Sequence, residues 1–415
     1  MPKIRFPEFT DAWEQYKLED LLIPSDEKNN SRNYIQDDIL AASLGTELVK
    51  KHIFFGLRST EESIKNYRVV NFGDVIYTKS PIKGYPNGII RTNKGISGIV
   101  PSLYCVYRSV PFINPSIIQS YFEDKFRLDS YLYPLVNVGA RNNVNITDLG
   151  FLEGFITIPR EIEEQNKIVN FLDEVSNLIT IHQHKLSNVK ELKMGLLQKM
   201  FPKKGEDKPE VRFPEFTDAW EQCKLFDNIN DVLDYRGKSP TKFGMEWGSE
   251  GYLVLSALNV KDGYIDKSVE AKYGSQKLFE RWMGDRRLNK GDVVFTTEAP
   301  LGNVAQVPDD NGYILNQRAV AFKTDGVKTD NNFLAQLLRS PLFKNKLQAN
   351  ASGGTAKGIG MREFAKMTAF FPKDINEQIK IGAFFTNLDH LIILHQRKLD
   401  HLQEQKKALL QQMFI

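Results

Sequence analysis

The chain has 415 residues, 41% of them hydrophobic and 26% charged, with a net charge of +3; that is the make-up of a globular protein with room for two ordinary domains. So mild a charge neither demands nor excludes nucleic acid, and its distribution along the chain has to decide. Two cysteines at unmatched places exclude a disulfide framework or zinc spacing, no apolar run approaches a membrane span, and MPKIRFPEFT is no signal segment, so a reducing cytoplasm is expected.

The first element is a motif that occurs twice. Residues 4–18 read IRFPEFTDAWEQYKL and residues 211–225 read VRFPEFTDAWEQCKL, differing only at Ile4/Val211 and Tyr16/Cys223. A second pair starts at Pro159 and Pro372, and 20 of its 43 aligned positions are identical. A repeat of this length is domain-sized, so the chain is two homologous halves. An internal dyad is how proteins address two half-sites on a duplex.

After the motif each half has a mixed, turn-rich region. Asn71-Phe72-Gly73-Asp74 leads into VIYT, and Asn289-Lys290-Gly291-Asp292 into VVFT, which predicts a turn and a strand in each. Further strands are predicted at 98–107 and 313–322. Residues 68–108 hold Arg68, Lys79, Lys83, Arg91, Lys94 and Arg108 against Asp74, a local excess of +5, with Tyr77, Tyr85, Tyr104 and Tyr107 between them. Residues 272–293 hold Lys272, Lys277, Arg281, Arg286, Arg287 and Lys290 against three acids, with Trp282 among them. Such mixtures fit a surface that meets phosphates and base edges; an ordinary solvated face has the same composition. Two glycine loops precede the helical repeats, 139–143 with Arg141, Asn142 and Asn143, and 353–358 with Thr355 and Lys357. They could approach a duplex closely, or serve as turns with a helix cap.

Each half closes on a long helix. Ile168, Leu172, Val175, Ile179, His182, Leu186, Val189, Lys193, Leu196 and Met200 step by four and three, as do Ile381, Phe385, Leu388, Ile392, His395, Leu399, Leu402, Lys406, Leu409 and Met413. That is a heptad seam over more than four heptads, with polar residues matched between the copies. Residues 161–181 sum to −4 and 182–201 to +3; the second helix has the same polarity at −2 and +2. The charges favour an antiparallel pair, although each helix also complements its own dipole. Between the halves, PKKGEDKPE at 202–210 suits an exposed joint.

Signatures of chemistry are missing. There is no GxxxxGK[ST], no GxGxxG after a strand, no GxSxG, no HExxH and no Asn/Asp-Pro-Pro-aromatic methyltransferase signature. Five of six histidines lie on the long helices, where seam or solvated positions account for them; His52 stands alone and reads as a surface residue. No catalytic residue and no metal site is expected.

The whole pattern resembles the specificity subunit of type I restriction-modification systems. The resemblance rests on RFPEFTDAWEQ before each half, GDVIYT and GDVVFT inside, ILNQRAVAFK at 314–323, and IPREIEEQNKIVNFLDEV and FPKDINEQIKIGAFFTNL opening each helix. It implies an α+β fold: two target-recognition domains (1–160 and 211–371), each followed by a helical spacer (161–201 and 372–415), the helices pairing as an antiparallel coiled coil. It implies that each domain reads one half of a bipartite, asymmetric double-stranded DNA site, with the coil as a ruler. Its partners would be two adenine methyltransferase subunits and restriction-translocase subunits, which hold S-adenosylmethionine, ATP and magnesium; no membrane is involved. The candidate DNA contacts are Lys79, Lys83, Tyr85, Arg91, Lys94, Arg141, Asn142, Asn143, Arg286, Arg287, Arg318, Thr355 and Lys357. SPIKGYPNGIIRT after the first strand is more basic than TEAPLGNVAQVPDD after the second, so the two domains do not align residue by residue there. Other readings of the same residues are the specificity subunit of a related bipartite type II-like methylation and cleavage system, and a duplicated coiled-coil scaffold without DNA.

Overall fold

The computed structural model describes residues 2–44, 48–50, 61–82, 84–138, 144–269, 271–354 and 356–414. The chain divides into two compact units, Met1–His184 with Gln396–Ile415, and Lys185–His395. Each unit thus holds one turn-rich domain, a stretch of its own long helix and a stretch of the other.

The main elements of the first unit are β1 (Glu14–Lys17), β2 (Leu22–Pro24), β3 (Arg68–Val70), β4 (Val75–Thr78), β5 (Ile90–Thr92), β6 (Gly98–Val100), β7 (Tyr104–Ser109), α1 (Pro115–Phe122), α2 (Lys125–Leu132), β8 (Phe155–Ile158) and the start of α3 (Ile162–Lys199). An antiparallel sheet has the order β2-β7-β4-β5, while β1 pairs with β8 and β3 with β6. Strand β4 is buried along its whole length. Alternation divides its side chains between two cores. Val75 and Tyr77 join the core that holds Ile117, Ile168 and Leu172, whereas Ile76 joins Leu40, Val70, Val100 and Val106. Tyr77 and Tyr107 stack on Phe151 at 4.6 and 5.3 Å, a buried aromatic column at the centre of the domain.

The second unit runs β9 (Glu221–Lys224), β10 (Asp231–Asp234), β11 (Tyr252–Leu255), β12 (Tyr273–Gly274), α4 (Gln276–Met283), β13 (Val293–Thr296), β14 (Val304–Gln306), β15 (Tyr313–Leu315), β16 (Ala319–Lys323), α5 (Asn331–Arg339), α6 (Pro341–Asn350), β17 (Thr368–Phe371) and the start of α7 (Ile375–Met413). Its sheet β10-β16-β13-β14 repeats the order of the first, and β9 pairs with β17 as β1 does with β8. A three-stranded sheet β12-β11-β15, packed on α4, belongs to this unit.

The two Gly-Asp turns are built alike. Gly73 and Gly291 hold φ of +86° and +89°, a region open to glycine. The carboxylates of Asp74 and Asp292 accept the backbone N–H of Asn71 and Asn289 at 2.7 and 2.8 Å. Burial pushes both carboxyls above their ordinary pKa. The stretches 98–107 and 313–322, where strands are expected, each hold two. Pro101 lacks an N–H and turns the chain, its carbonyl accepting from Tyr104 at 3.0 Å; Arg318, at φ +66°, turns it between β15 and β16.

The repeated motifs lock onto each other. Arg5 donates from Nε and a terminal nitrogen to the two carboxylate oxygens of Glu164, at 2.7 and 2.8 Å, and Trp13 Nε1 donates to the same carboxylate at 3.1 Å. Arg212, Trp220 and Glu377 repeat this at 2.6, 2.8 and 3.3 Å. Lys167 pairs with Glu8, and Lys380 with Glu215. The Gln of each Glu-Gln pair ties the helix to its domain: Gln165 donates to Pro159 O and accepts from Asn114 N, and Gln378 donates to Pro372 O and accepts from Asp330 N. The RFPEFTDAW segment is therefore a strap over the first turns of each long helix.

Helix α3 has 38 residues and α7 has 39, each about 57 Å long at 1.5 Å per residue. In the first unit Ile168, Val169 and Leu172 share a core with Leu410, Met413 and Phe414. In the second, Leu197, Met200 and Phe201 share one with Ile381, Phe385 and Leu388. The start of each helix lies against the end of the other, so the pair is antiparallel. Ile168, Leu172, Ile179, Leu186, Ile381, Phe385, Leu388, Leu399 and Leu402 are buried, while Val175, His182, Val189, Leu196, Ile392, His395 and Leu409 are half-buried. Residues 203–208 are exposed, but the joint is pinned at its end: Glu210 pairs with Lys199 and Lys203 at 2.9 and 2.7 Å, and Val211 N donates to Lys199 O.

Candidate nucleic-acid interface

In the second unit three loops meet beyond the end of β13. They are 297–300 after β13, 316–318 before β16, and the glycine loop 352–360. Thr297 N donates to Arg318 O at 2.8 Å, Ile359 N to Thr297 O at 2.9 Å, and Glu298 bridges to Gly358. The glycine loop closes on itself through reciprocal bonds between Ser352 and Gly358, both 2.9 Å. One of its glycines is required and a second is closely packed. A Cβ on Gly353 would lie 2.4 Å from Ala356 O, and one on Gly358 would press on Glu298 and Thr297 at 3.0 and 3.2 Å.

This closure presents Lys357 and Arg318 to solvent, Arg318 with 53% of its side chain exposed. Glu298 sits 3.4 Å from Arg318. Arg236, held by Asp234 at 2.6 Å, lies in the field of the same carboxylate. Thr297 Oγ1 and Asn316 Oδ1 are buried here without a protein partner among the described residues. The cluster offers two exposed cations and a carboxylate, with two uncommitted polar atoms buried beside them. That is the equipment of a surface that contacts phosphates and base edges.

The other basic candidates lie elsewhere. Arg286 pairs with Asp231 and donates to Val232 O at 3.0 Å. Arg287 lies over the Phe279 ring at 5.1 Å. In the first unit Lys79 and Arg68 both pair with Asp148, the first residue of a short helical turn capped by Thr147 before β8. Burial pushes the Asp148 carboxyl up, but its donors and Arg68 outweigh this and hold it below the ordinary range. Lys94 donates to both carboxylate oxygens of Asp173 on α3, at 2.5 and 2.6 Å. Arg91 is 6% exposed, its guanidinium donating to Ser43 O and Ile90 O. Burial lowers its pKa. Tyr85 is half-buried and lines a cavity of about 650 Å³ together with Arg91, Glu123, Lys125 and Lys406. Glu123 and Lys406 pair there at 2.5 Å. Lys83, Arg141, Asn142, Asn143, Thr355 and His52 lie outside the described residues.

Sequence reasoning brought Arg318 and Lys357 forward separately, without the tie between them. Glu298 and Arg236 were not singled out. The signal was weak: a Glu in TTEAP and an Arg in DYRGK become neighbours only once β10 and β13 have both paired with β16. Among the described residues no group of His, Cys, Asp and Glu could hold a metal ion, and no helix is long and apolar enough to cross a membrane.

Residues 224–404 match the family described as the type I restriction modification DNA specificity domain. The chain is 25% identical over 259 residues to the type I restriction enzyme MjaVIII specificity subunit of Methanocaldococcus jannaschii, covering 60% of this chain and 59% of that protein. It is 23% identical over 275 residues to the putative type I restriction enzyme MjaX specificity subunit of the same organism, covering 65% and 60%. The matches thus span less than two thirds of either relative's length. Among solved structures, the type I restriction-modification S subunit from M. genitalium aligns over 100% of this chain and 99% of its own, with a TM-score of 0.61 and 12% identity. The α+β architecture, two β-rich domains each followed by a long helix, is the fold of that structure.

Proposed function

We infer, from the premise that this chain is a type I restriction-modification specificity subunit, that its two units read the two halves of a split DNA site for enzymes that bind beside it. The family is non-catalytic. The chain supplies recognition and spacing, and adenine methylation belongs to a partner that carries S-adenosylmethionine. Two methyltransferase subunits dock, one for each copy of the repeat. In a restriction complex, ATP-dependent subunits with magnesium join them.

One observation carries the reading. The same four-stranded order occurs in both units, yet the loops that emerge from it differ in length, charge and composition. A scaffold kept twice under two unlike surfaces is what two readers of two unlike half-sites require. In the second unit Arg318 and Lys357 supply cations for phosphates or guanine edges, while Glu298 can accept from a cytosine amino group.

The test is exchange. Residues 19–158 are replaced by the corresponding domain of another family member, and the methylome of cells carrying the hybrid with its methyltransferase is sequenced. One half of the methylated motif changes and the other half stays. If both halves change together, the two-reader assignment fails.

A further inference from the structure

At one corner the two copies of the scaffold match bond by bond. Thr78 pairs with Tyr104 where β4 meets β7, and Thr296 with Ala319 where β13 meets β16. One residue further on, Lys79 N donates to Leu103 O at 2.9 Å, and Thr297 N to Arg318 O at 2.8 Å. Leu103 of the first unit therefore stands where Arg318 stands in the second. Two short helical turns, Asp148–Phe151 before β8 and Met361–Phe364 before β17, fix another equivalence. Phe151 N donates to Thr147 O and Phe364 N to Gly360 O, so the second residues of the turns correspond, Leu149 with Arg362.

Both exchanges have the same sense. Arg318 and Arg362 are exposed cations, whereas Leu103 and Leu149 are 48% and 68% exposed. A single leucine in solvent is ordinary. These two occupy the two places where the homologous domain sets arginines, and they flank one ion cluster. Arg68 donates to Tyr104 O, next to Leu103, and pairs with Asp148, next to Leu149. Lys79 is committed to the same Asp148. What Leu103 and Leu149 offer outward is hydrocarbon.

In the major groove of a duplex the hydrocarbon group is the C5 methyl of thymine, while guanine presents N7 and O6 to an arginine. We propose that Leu103 and Leu149 read thymine methyl groups in the half-site of the first unit, at the register where Arg318 and Arg362 read guanines in the half-site of the second. This rests on the reading that each unit faces one half-site. A phosphate is no alternative for the first unit, since a leucine has no donor to give it. The two halves then differ for a chemical reason: A·T pairs in one stand at the register of G·C pairs in the other.

The test uses the full chain assembled with its methyltransferase, on duplexes of the methylated motif whose halves are assigned by exchange of residues 19–158. In the first half, deoxyuridine in place of thymidine removes only the methyl group and weakens binding about fourfold at each contacted position. Leu103→Ala and Leu149→Ala each abolish that difference at one position. In the second half, 7-deazaguanine removes the N7 acceptor and weakens binding about tenfold, a difference that Arg318→Ala and Arg362→Ala each abolish at one position. Leu103→Arg moves one preferred pair of the first half from A·T to G·C in the methylome and leaves the second half unchanged. Circular dichroism melts identify any variant that fails to fold, and the wild-type comparison of thymidine with deoxyuridine needs no variant at all. Equal binding of those two duplexes by wild type, or a difference that survives both leucine variants, would overturn the thymine assignment and leave the two readers intact. A 7-deazaguanine penalty unchanged in both arginine variants would overturn the guanine assignment. If exchange of residues 19–158 alters both halves, the two-reader reading falls, and this assignment with it.

Discussion

Glu164 is 2% exposed and takes three hydrogen bonds, two from Arg5 and one from Trp13. Glu164→Ala removes the acceptor shared by the half-buried Arg5 guanidinium and the Trp13 indole, and should cost about 1.5–3 kcal/mol. Urea unfolding of the variant checks this, and Glu377→Ala should behave alike. Lys193 is buried against Asp389, which also takes Arg339 at 2.8 Å. Burial, aided by Arg339, lowers its pKa to about 8. A lysine titrating lower in the folded than in the unfolded chain makes the unfolded state bind more protons between about pH 8 and about pH 10. Stability contributed at this site therefore rises with pH through that window. Lys193→Met should flatten the rise, read as the difference in unfolding free energy at the two ends. On the proposed DNA face, Arg318→Ala should relax one base position by about 1–3 kcal/mol, whereas Lys357→Ala should weaken all sequences alike and reduce the salt slope by about one. Titrations of the assembled complex at several salt concentrations separate the two.

At the scale of elements, the long helices are the place to change spacing. Seven residues inserted after Lys185 and seven after Lys398 keep both seams in register and add about 10 Å to each helix. That is the rise of about three base pairs. The methylated motif should keep its halves and gain a spacer of that length, which methylome sequencing reads directly; four residues inserted at the same places should break the register and abolish methylation. Much of this element was legible in the sequence, because the four-three stepping from Ile168 to Met200 is a long local signal. The Gly-Asp turns were legible for the same reason, each depending on four adjacent residues. The strands at 98–107 and 313–322 were half-legible: composition marked them as extended, but the break at Arg318 depends on a backbone angle that no propensity marks. The strap was read only as a motif that occurs twice. Its tie to Glu164 spans 159 residues of sequence and appears only when both repeats are folded. Arg91 and Lys94 stood out in the sequence as charge, yet charge alone does not tell a guanidinium packed under Ser43 from one in solvent.

At the scale of the molecule, the two copies have diverged in how they hold their matched lysines. Lys406 is held by Glu123, from the domain packed on it, whereas Lys193 is held by Asp389 on the opposite helix, with Arg339 on the domain side. A domain-exchange hybrid that sets an arginine at position 123 against Lys406 should therefore melt lower than the parent, which a thermal scan tests. The composition of the first unit also has a consequence in time. Its core needs Leu410, Met413 and Phe414, yet Ile168, Val169 and Leu172 leave the ribosome more than two hundred residues earlier. At about 5–20 residues per second the domain made first waits roughly 12–50 seconds for its last wall. The second unit, built from residues 185–395, is complete before that wait ends. The order of synthesis and the order of completion are thus reversed, and the half-finished first domain is the species that chaperones and proteases have the longest opportunity to meet.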